Sequence, residues 1–142
     1  MKFVSIKLVA GLAVAAFYLG LSPQVQAQRL EVETRLTNTG IDPLASGHAR
    51  YREEPGRRDF RTQVEDVRTT TLLIVFAINP DFTAFEVMGA LFVDPVTRRG
   101  ELEINTQDGD QVPRLGDGWW IVVFDLFEPN PLLFFGQLRP RQ

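Results

Sequence analysis

The stretch from Trp119 to Phe124 constrains the fold more than any other part of the chain. All six of its residues are apolar, so a β-strand formed by them is apolar on both faces. One face would carry Trp119, Ile121 and Val123, and the other Trp120, Val122 and Phe124. A strand in a small antiparallel domain usually has one apolar and one polar face, because one side meets water. Something must therefore cover the second face of this strand.

Two other stretches share this property. Thr71 to Ile78 and Leu132 to Leu138 are also apolar on both sides when they are read as strands. If the three strands are neighbours in one sheet, their outer surface exceeds the apolar area that monomers normally expose. The candidate surface residues are Trp119, Trp120, Val122, Phe124, Leu133 and Phe135. The cover could be another segment such as the loop 38–47, a second protein chain, an apolar ligand inside a barrel, or lipid.

The remaining strands are more polar. Arg29 to Asn38 alternates, with Leu30 and Val32 on the inner side and charged residues on the other. Ala84 to Asp94 is predicted to place one set of apolar side chains together: Phe85, Val87, Leu91 and Val93. Glu101 to Thr106 forms a further strand, and residues 139–142 are predicted to be a frayed tail. Eight short strands predict an all-β fold, an antiparallel β-sandwich or a small closed barrel.

A hairpin around Pro55-Gly56 has the best-determined register. Proline and glycine predict a type II turn between His48 to Glu54 and Arg57 to Asp66. Pairing Glu54 with Arg57 brings three opposite-charge pairs and one aromatic pair into register. A slip by one residue would mix the two faces, so we expect this register.

The first 27 residues have the pattern of a secretory signal peptide. Lys2 and Lys7 flank the entry to an apolar run from Leu8 to Leu21, and Val25-Gln26-Ala27 offers a cleavage site. Fourteen apolar residues are too few to span a bilayer as a helix. We therefore expect a signal peptide over 1–27, a single β domain over 28–142, and an exported protein without a stable membrane span.

The charge of the domain argues against one class of partner, and the absence of cysteine excludes several kinds of chemistry. Both lysines lie in the leader, so the domain carries 13 arginines against 18 acidic residues. An acidic domain with interspersed signs does not favour nucleic acid. The chain has no cysteine, which excludes disulfides, thiolate nucleophiles and lipid attachment through cysteine.

The sequence offers little catalytic chemistry. Ser46 and His48 are the single serine and histidine of residues 28–142, and no Gly-x-Ser-x-Gly elbow surrounds them. Asp108, Asp110 and Asp117 could supply oxygen ligands for calcium, but the EF-hand pattern fails around them. Glutamate pairs such as 101 and 103 lie on solvated strand faces. We predict no enzyme activity, no metal and no cofactor.

Several segments carry a resemblance to a known kind of domain. They include Leu36 to Gly40, Ala45 to Arg52, Val64 to Val67, Arg99 to Ile104 and Gly109 to Pro113. Together they resemble an uncharacterised domain of exported bacterial proteins and, more distantly, the chordin-type CHRD domain, whose paired histidines are missing here. The resemblance implies an exported β module and assigns no activity.

The sequence therefore predicts an exported, non-enzymatic β module, periplasmic or extracellular, that binds a protein partner or self-associates through the apolar surface of its C-terminal strands. Two alternatives remain open at this point. One is a carrier that holds a small apolar ligand in a barrel cavity lined by Trp119 or Trp120. The other is a hydrolase that uses carboxylates.

Overall fold

The computed structural model describes residues 29–127 and 132–141, and the predicted signal peptide lies outside these residues. The chain is all-β, as the strand pattern predicts. The strands are β1 (Leu30–Asn38), β2 (Ser46–Glu54), β3 (Arg57–Glu65), β4 (Leu72–Ile78), β5 (Phe85–Phe92), β6 (Gly100–Asn105), β7 (Trp120–Asp125), β8 (Leu132–Gln137) and β9 (Arg139–Pro140). A single 3-10 turn, Thr106–Asp108, follows β6.

Eight of the strands form one antiparallel sheet in the order β5-β4-β7-β8-β1-β2-β3-β6. The sheet curls until its two edge strands meet at a single bridge between Val93 and Gly100. The result is a nearly closed barrel. We call β1, β2, β3 and β6 the charged half of the barrel, and β4, β5, β7 and β8 the aromatic half.

The core lies inside the barrel and draws on both halves. In the aromatic half the inward residues of β4 and β7, such as Val75 and Val123, have no exposed surface. In the charged half Val32, Tyr51 and Phe60 are equally buried. Alternation along each strand produces this arrangement, because every second side chain points inward.

The hairpin of β2 and β3 has the register that its charges predict. Glu54 pairs with Arg57, Arg52 pairs with Asp59, and Tyr51 pairs with Phe60. Gly56, at φ 76°, supplies the positive φ that the predicted turn requires.

Register shifts in two strand pairs place several side chains on the opposite face of the sheet from the one predicted. The pairing of β4 with β5 shifts beside Gly89, so Phe85 and Val87 point outward while Leu91 points inward. The predicted grouping of these residues on one face is therefore wrong. In β8 the register shifts around Leu133, and both Leu133 and Phe134 are buried.

The C-terminal residues are also more ordered than predicted. Arg139 and Pro140 pair with Glu33 and Val32 of β1, and Arg141 lies 3.0 Å from a carboxylate oxygen of Glu31. The prediction of a frayed tail is wrong for residues 139–141, because these residues extend the sheet beside β1.

Candidate binding face

The outer surface of the aromatic half forms a continuous apolar sheet, which we call the aromatic face. The sequence predicts such a surface if the three apolar strands are neighbours in one sheet. In the structure β4, β7 and β8 are direct neighbours, and β5 adds a fourth strand. The outward side chains are Leu72, Ile74, Phe76 and Ile78 of β4, Phe85, Val87, Ala90 and Phe92 of β5, Trp120, Val122 and Phe124 of β7, and Leu132 and Phe135 of β8.

Rings on this face contact one another across the strands. Phe76 lies at the centre, stacked on Phe85 at 5.3 Å between ring centroids and edge-on to Phe124 at 5.5 Å. Trp120 and Phe135 lie 6.4 Å apart by the same measure. Such pairs stabilise beyond their buried area, so the rings form a preordered surface and not a set of independent side chains.

The β5 edge of this surface is the part most open to solvent, while the outward side chains of β4, β7 and β8 are partly exposed. Phe85 is 61%, Val87 is 60% and Phe92 is 70% exposed, although all three are apolar. Single exposed apolar residues are common on proteins, but a contiguous exposed face is typical of binding sites.

The loop between β4 and β5 adds one more ring to the rim of this face. Phe82 is 68% exposed, stacks on Trp120 at 6.5 Å between centroids, and has a φ of 61°. Left-handed backbone is costly for a bulky residue and is held here by Asn79, whose Oδ1 accepts the N–H groups of Thr83 and Ala84 at 2.8 Å. The loop therefore presents an aromatic ring to solvent from a strained backbone position.

Charge is nearly absent from the aromatic half. Its four strands contain no basic residue, and their ionisable residues are Glu86 and Asp125. Asp125 is buried, while Asp81, Glu86 and Asp94 are exposed. The turn that follows β5 also holds the exposed Arg99, whose carbonyl accepts the N–H of Asp94, so the surroundings of the face carry charges of both signs.

Four of the six predicted surface residues lie together on the aromatic face: Trp120, Val122, Phe124 and Phe135. The other two lie elsewhere. Trp119 is partly buried and packs against the core, and Leu133 is 1% exposed within it. The prediction that Leu133 lies on the surface is wrong, because a bulge in β8 turns two successive residues inward.

The sequence analysis missed the contribution of β5. Phe85, Val87 and Phe92 are among the most exposed residues of the face, yet strict alternation assigned two of them to the same side as Leu91. Gly89 was the available signal, since a glycine inside a strand often marks a bulge.

The charged half has an outer face of the opposite kind. Ion pairs cross its strands, including Arg52 with Asp59 at 3.5 Å and Arg61 with Glu101. His48, one of the two residues considered for hydrolysis, lies 3.4 Å from Glu33, and Ser46 is exposed two residues before it. The aspartates considered for calcium bind protein groups: Asp110 accepts the N–H of Asn105, and Asp117 lies 3.4 Å from Arg139.

Within residues 29–127 and 132–141 no three histidine, aspartate or glutamate side chains are grouped to hold a metal ion. The same residues include no helix that is long and apolar enough to cross a membrane. The barrel interior is filled by side chains, among them the fully buried Tyr51, Phe60 and Phe134. A cleft at one end of the charged half is lined by residues that include Arg29, Glu53 and Arg57.

Two ionisable groups have shifted pKa values. Burial raises the pKa of the Tyr51 hydroxyl well above its usual value, and its hydrogen bond to Glu53 at 2.7 Å acts in the same direction. The N–H groups of Thr97 and Val96 lower the pKa of the exposed Asp94 carboxyl, to which both donate. Both groups thus make hydrogen bonds within the protein, Tyr51 as a donor along β2 and Asp94 as an acceptor in the turn after β5.

No protein-family model matches the chain, and no characterised protein sequence matches it either.

Proposed function

We propose that this protein is an exported, non-enzymatic β module that binds or assembles through its aromatic face. The observation that carries the proposal is the continuous outward sheet of apolar side chains over β5, β4, β7 and β8, with three residues 60–70% exposed. An apolar surface of this extent is typical of a protein docking site.

The distribution of charge supports the same proposal. The charged half has ionic side chains across its outer strands, as a solvated surface requires, and the aromatic half has none on its outward face. The strained Phe82 adds support, because backbone strain concentrates at binding sites. Export follows from the leader pattern of residues 1–27.

An apolar fluorescent probe tests the proposal. The protein is recovered from the exported fraction, and its N terminus is established by intact mass. The probe is then titrated at nanomolar protein, where any self-association is dissociated. We expect saturable binding to the wild type and its loss in the double variant Phe85→Glu with Phe92→Glu.

A matched control carries two charges at exposed apolar residues elsewhere. Leu44 is 65% and Val96 is 86% exposed, and both lie outside the aromatic face. The variant Leu44→Glu with Val96→Glu should bind the probe as the wild type does. Equal binding by all three proteins, each with an unchanged circular dichroism spectrum, would refute the proposal.

A further inference from the structure

We infer that the occupant of the aromatic face is a second copy of this chain, so that the protein forms a symmetric face-to-face dimer. The inference rests on the proposed function and names the partner. Three properties of the face support it: its area, the absence of charge from its outward side chains, and the absence of basic residues from its four strands.

The area matches what a stable dimer requires. Four strands spaced ~4.8 Å apart, with about seven residues at ~3.3 Å each, cover roughly 19 Å by 23 Å. Projecting rings raise the accessible area: Phe82, Phe85 and Phe92, 61–70% exposed, contribute on the order of 400 Å² from side chains of ~200 Å² each. A standard interface buries about 800 Å² per partner, so the three rings supply about half of it and the partly exposed outward side chains of β4, β7 and β8 supply the rest.

The chemistry of the face suits a copy of itself. Its outward residues are apolar, so two copies packed against each other leave no unpaired charge between them. Two sheets pack face to face at about 10 Å with interdigitating side chains, the arrangement of a β-sandwich. A two-fold interface of this kind is self-complementary and closes at two copies.

The absence of basic residues argues against a membrane surface as the occupant. Surfaces that dock on anionic lipid carry lysine and arginine around an apolar centre. Here the four strands contain no lysine or arginine. The face therefore offers an anionic headgroup layer no opposite charge, whereas a second apolar copy needs none.

Sedimentation velocity of the exported protein across a wide concentration range tests the inference. We expect a monomer–dimer equilibrium in the wild type and in Leu44→Glu with Val96→Glu. In Phe85→Glu with Phe92→Glu the dissociation constant should rise roughly a hundredfold or more, because unpaired charges would be buried. A strictly monomeric wild type, or a dimer that both glutamates leave intact, would overturn the inference.

A cysteine cross-link provides a second measurement that does not depend on destabilising the interface. The chain has no cysteine, so Val122→Cys places a single thiol near the centre of the face. A short bismaleimide should join two copies of this variant much faster than two copies of Val96→Cys, although Val96 is the more exposed position. Faster cross-linking through Val96→Cys would overturn the inference.

The probe titration separates failure of this inference from failure of the proposed function. A monomeric wild type whose probe binding is lost in the face variant refutes the dimer and leaves the binding function standing. Co-sedimentation of that monomer with phosphatidylcholine–phosphatidylglycerol vesicles would make lipid the occupant and would also overturn the second-copy inference. Loss of both dimer and face-dependent probe binding refutes both proposals.

Discussion

The two halves of the barrel bury their inner faces equally well and differ in what they present outward. The strands of the charged half contain six arginines and eight acidic residues, while those of the aromatic half contain two acidic residues and no arginine. Both halves alternate, and both supply fully buried side chains to the same core. The inner face therefore suffices for folding in either half.

The difference in charge between the two outer surfaces bears on the role of the outward aromatic rings. The charged half shows a solvent-facing wall of this barrel, with ion pairs such as Arg52 with Asp59 across its strands. The core does not require the outer rings of the aromatic half, because the inward residues of β4 and β7 are already fully buried. The binding function that we propose would account for these rings.

Two adjacent phenylalanines in β8 provide the test of this comparison with the largest expected effect. Phe134 is fully buried and Phe135 lies on the aromatic face. In dilute protein, Phe134→Ala should lower the free energy of unfolding by about 3–5 kcal/mol, through lost burial and the cavity left behind. Phe135→Ala should cost about 1 kcal/mol, mainly through its contact with Trp120.

Urea titration at a protein concentration below any association measures both variants. Similar losses would mean that both sides of the aromatic half are core, and the contrast between the two halves would fail. At high concentration Phe135→Ala should weaken association, which Phe134→Ala affects only through folding.

The extent to which the sequence predicts this structure differs between the halves. The β2–β3 hairpin was predictable residue by residue, because Arg57, Asp59 and their partners allow one register and Pro55-Gly56 sets the turn. In the aromatic half both strand faces are apolar, so the pattern does not distinguish inside from outside, and the bulges beside Gly89 and at Leu133 could shift faces unnoticed. The sequence predicts an apolar surface on β4, β7 and β8, which are neighbours in the sheet, but it does not predict the contribution of β5.

The closure of the barrel between β5 and β6, where the two halves meet, provides the second test. At the β5–β6 seam, a Cβ added to Gly100 would lie 2.6 Å from the carbonyl oxygen of Phe92 and would also meet the side chain of Leu91. Gly100→Ala should therefore destabilise the protein by about 1–3 kcal/mol, through overpacking where the barrel closes. Gly116→Ala is the control, since its Cβ would meet only the Trp119 ring, at 3.9 Å.

Unfolding free energies from urea titration compare the two variants. Equal stability of Gly100→Ala and Gly116→Ala would show that the halves do not approach closely at this seam. The two halves would then form one open sheet, joined only between β8 and β1, and not a barrel.

The strained loop gives a third, smaller test. Because Phe82 has a φ of 61°, Phe82→Gly should be more stable than Phe82→Ala by about 1 kcal/mol, the reverse of the usual order. Both variants lose the ring, so both should bind the apolar probe more weakly. Phe85, within β5, is the control: there the alanine variant should be the more stable one. Thermal unfolding of the four variants measures the two differences, and the same order at both positions would remove strain as an argument for the aromatic face.

A further test distinguishes the halves by their response to alkaline pH. The raised pKa of Tyr51 means that the folded protein keeps this proton above pH ~10 while the unfolded chain releases it. Stability is therefore complete below pH ~10 and falls above it, by at most about 1.4 kcal/mol per pH unit. Residues 28–142 contain no lysine and no other tyrosine, so one group in the charged half carries this dependence.

Urea titrations from neutral to alkaline pH measure the slope. Tyr51→Phe should make the stability nearly independent of pH in this range, because residues 28–142 contain no lysine, no cysteine and no other tyrosine. A slope that survives in Tyr51→Phe would assign the alkaline response to another group. A flat profile would place the response in the charged half, since the strands of the aromatic half contain neither lysine nor tyrosine.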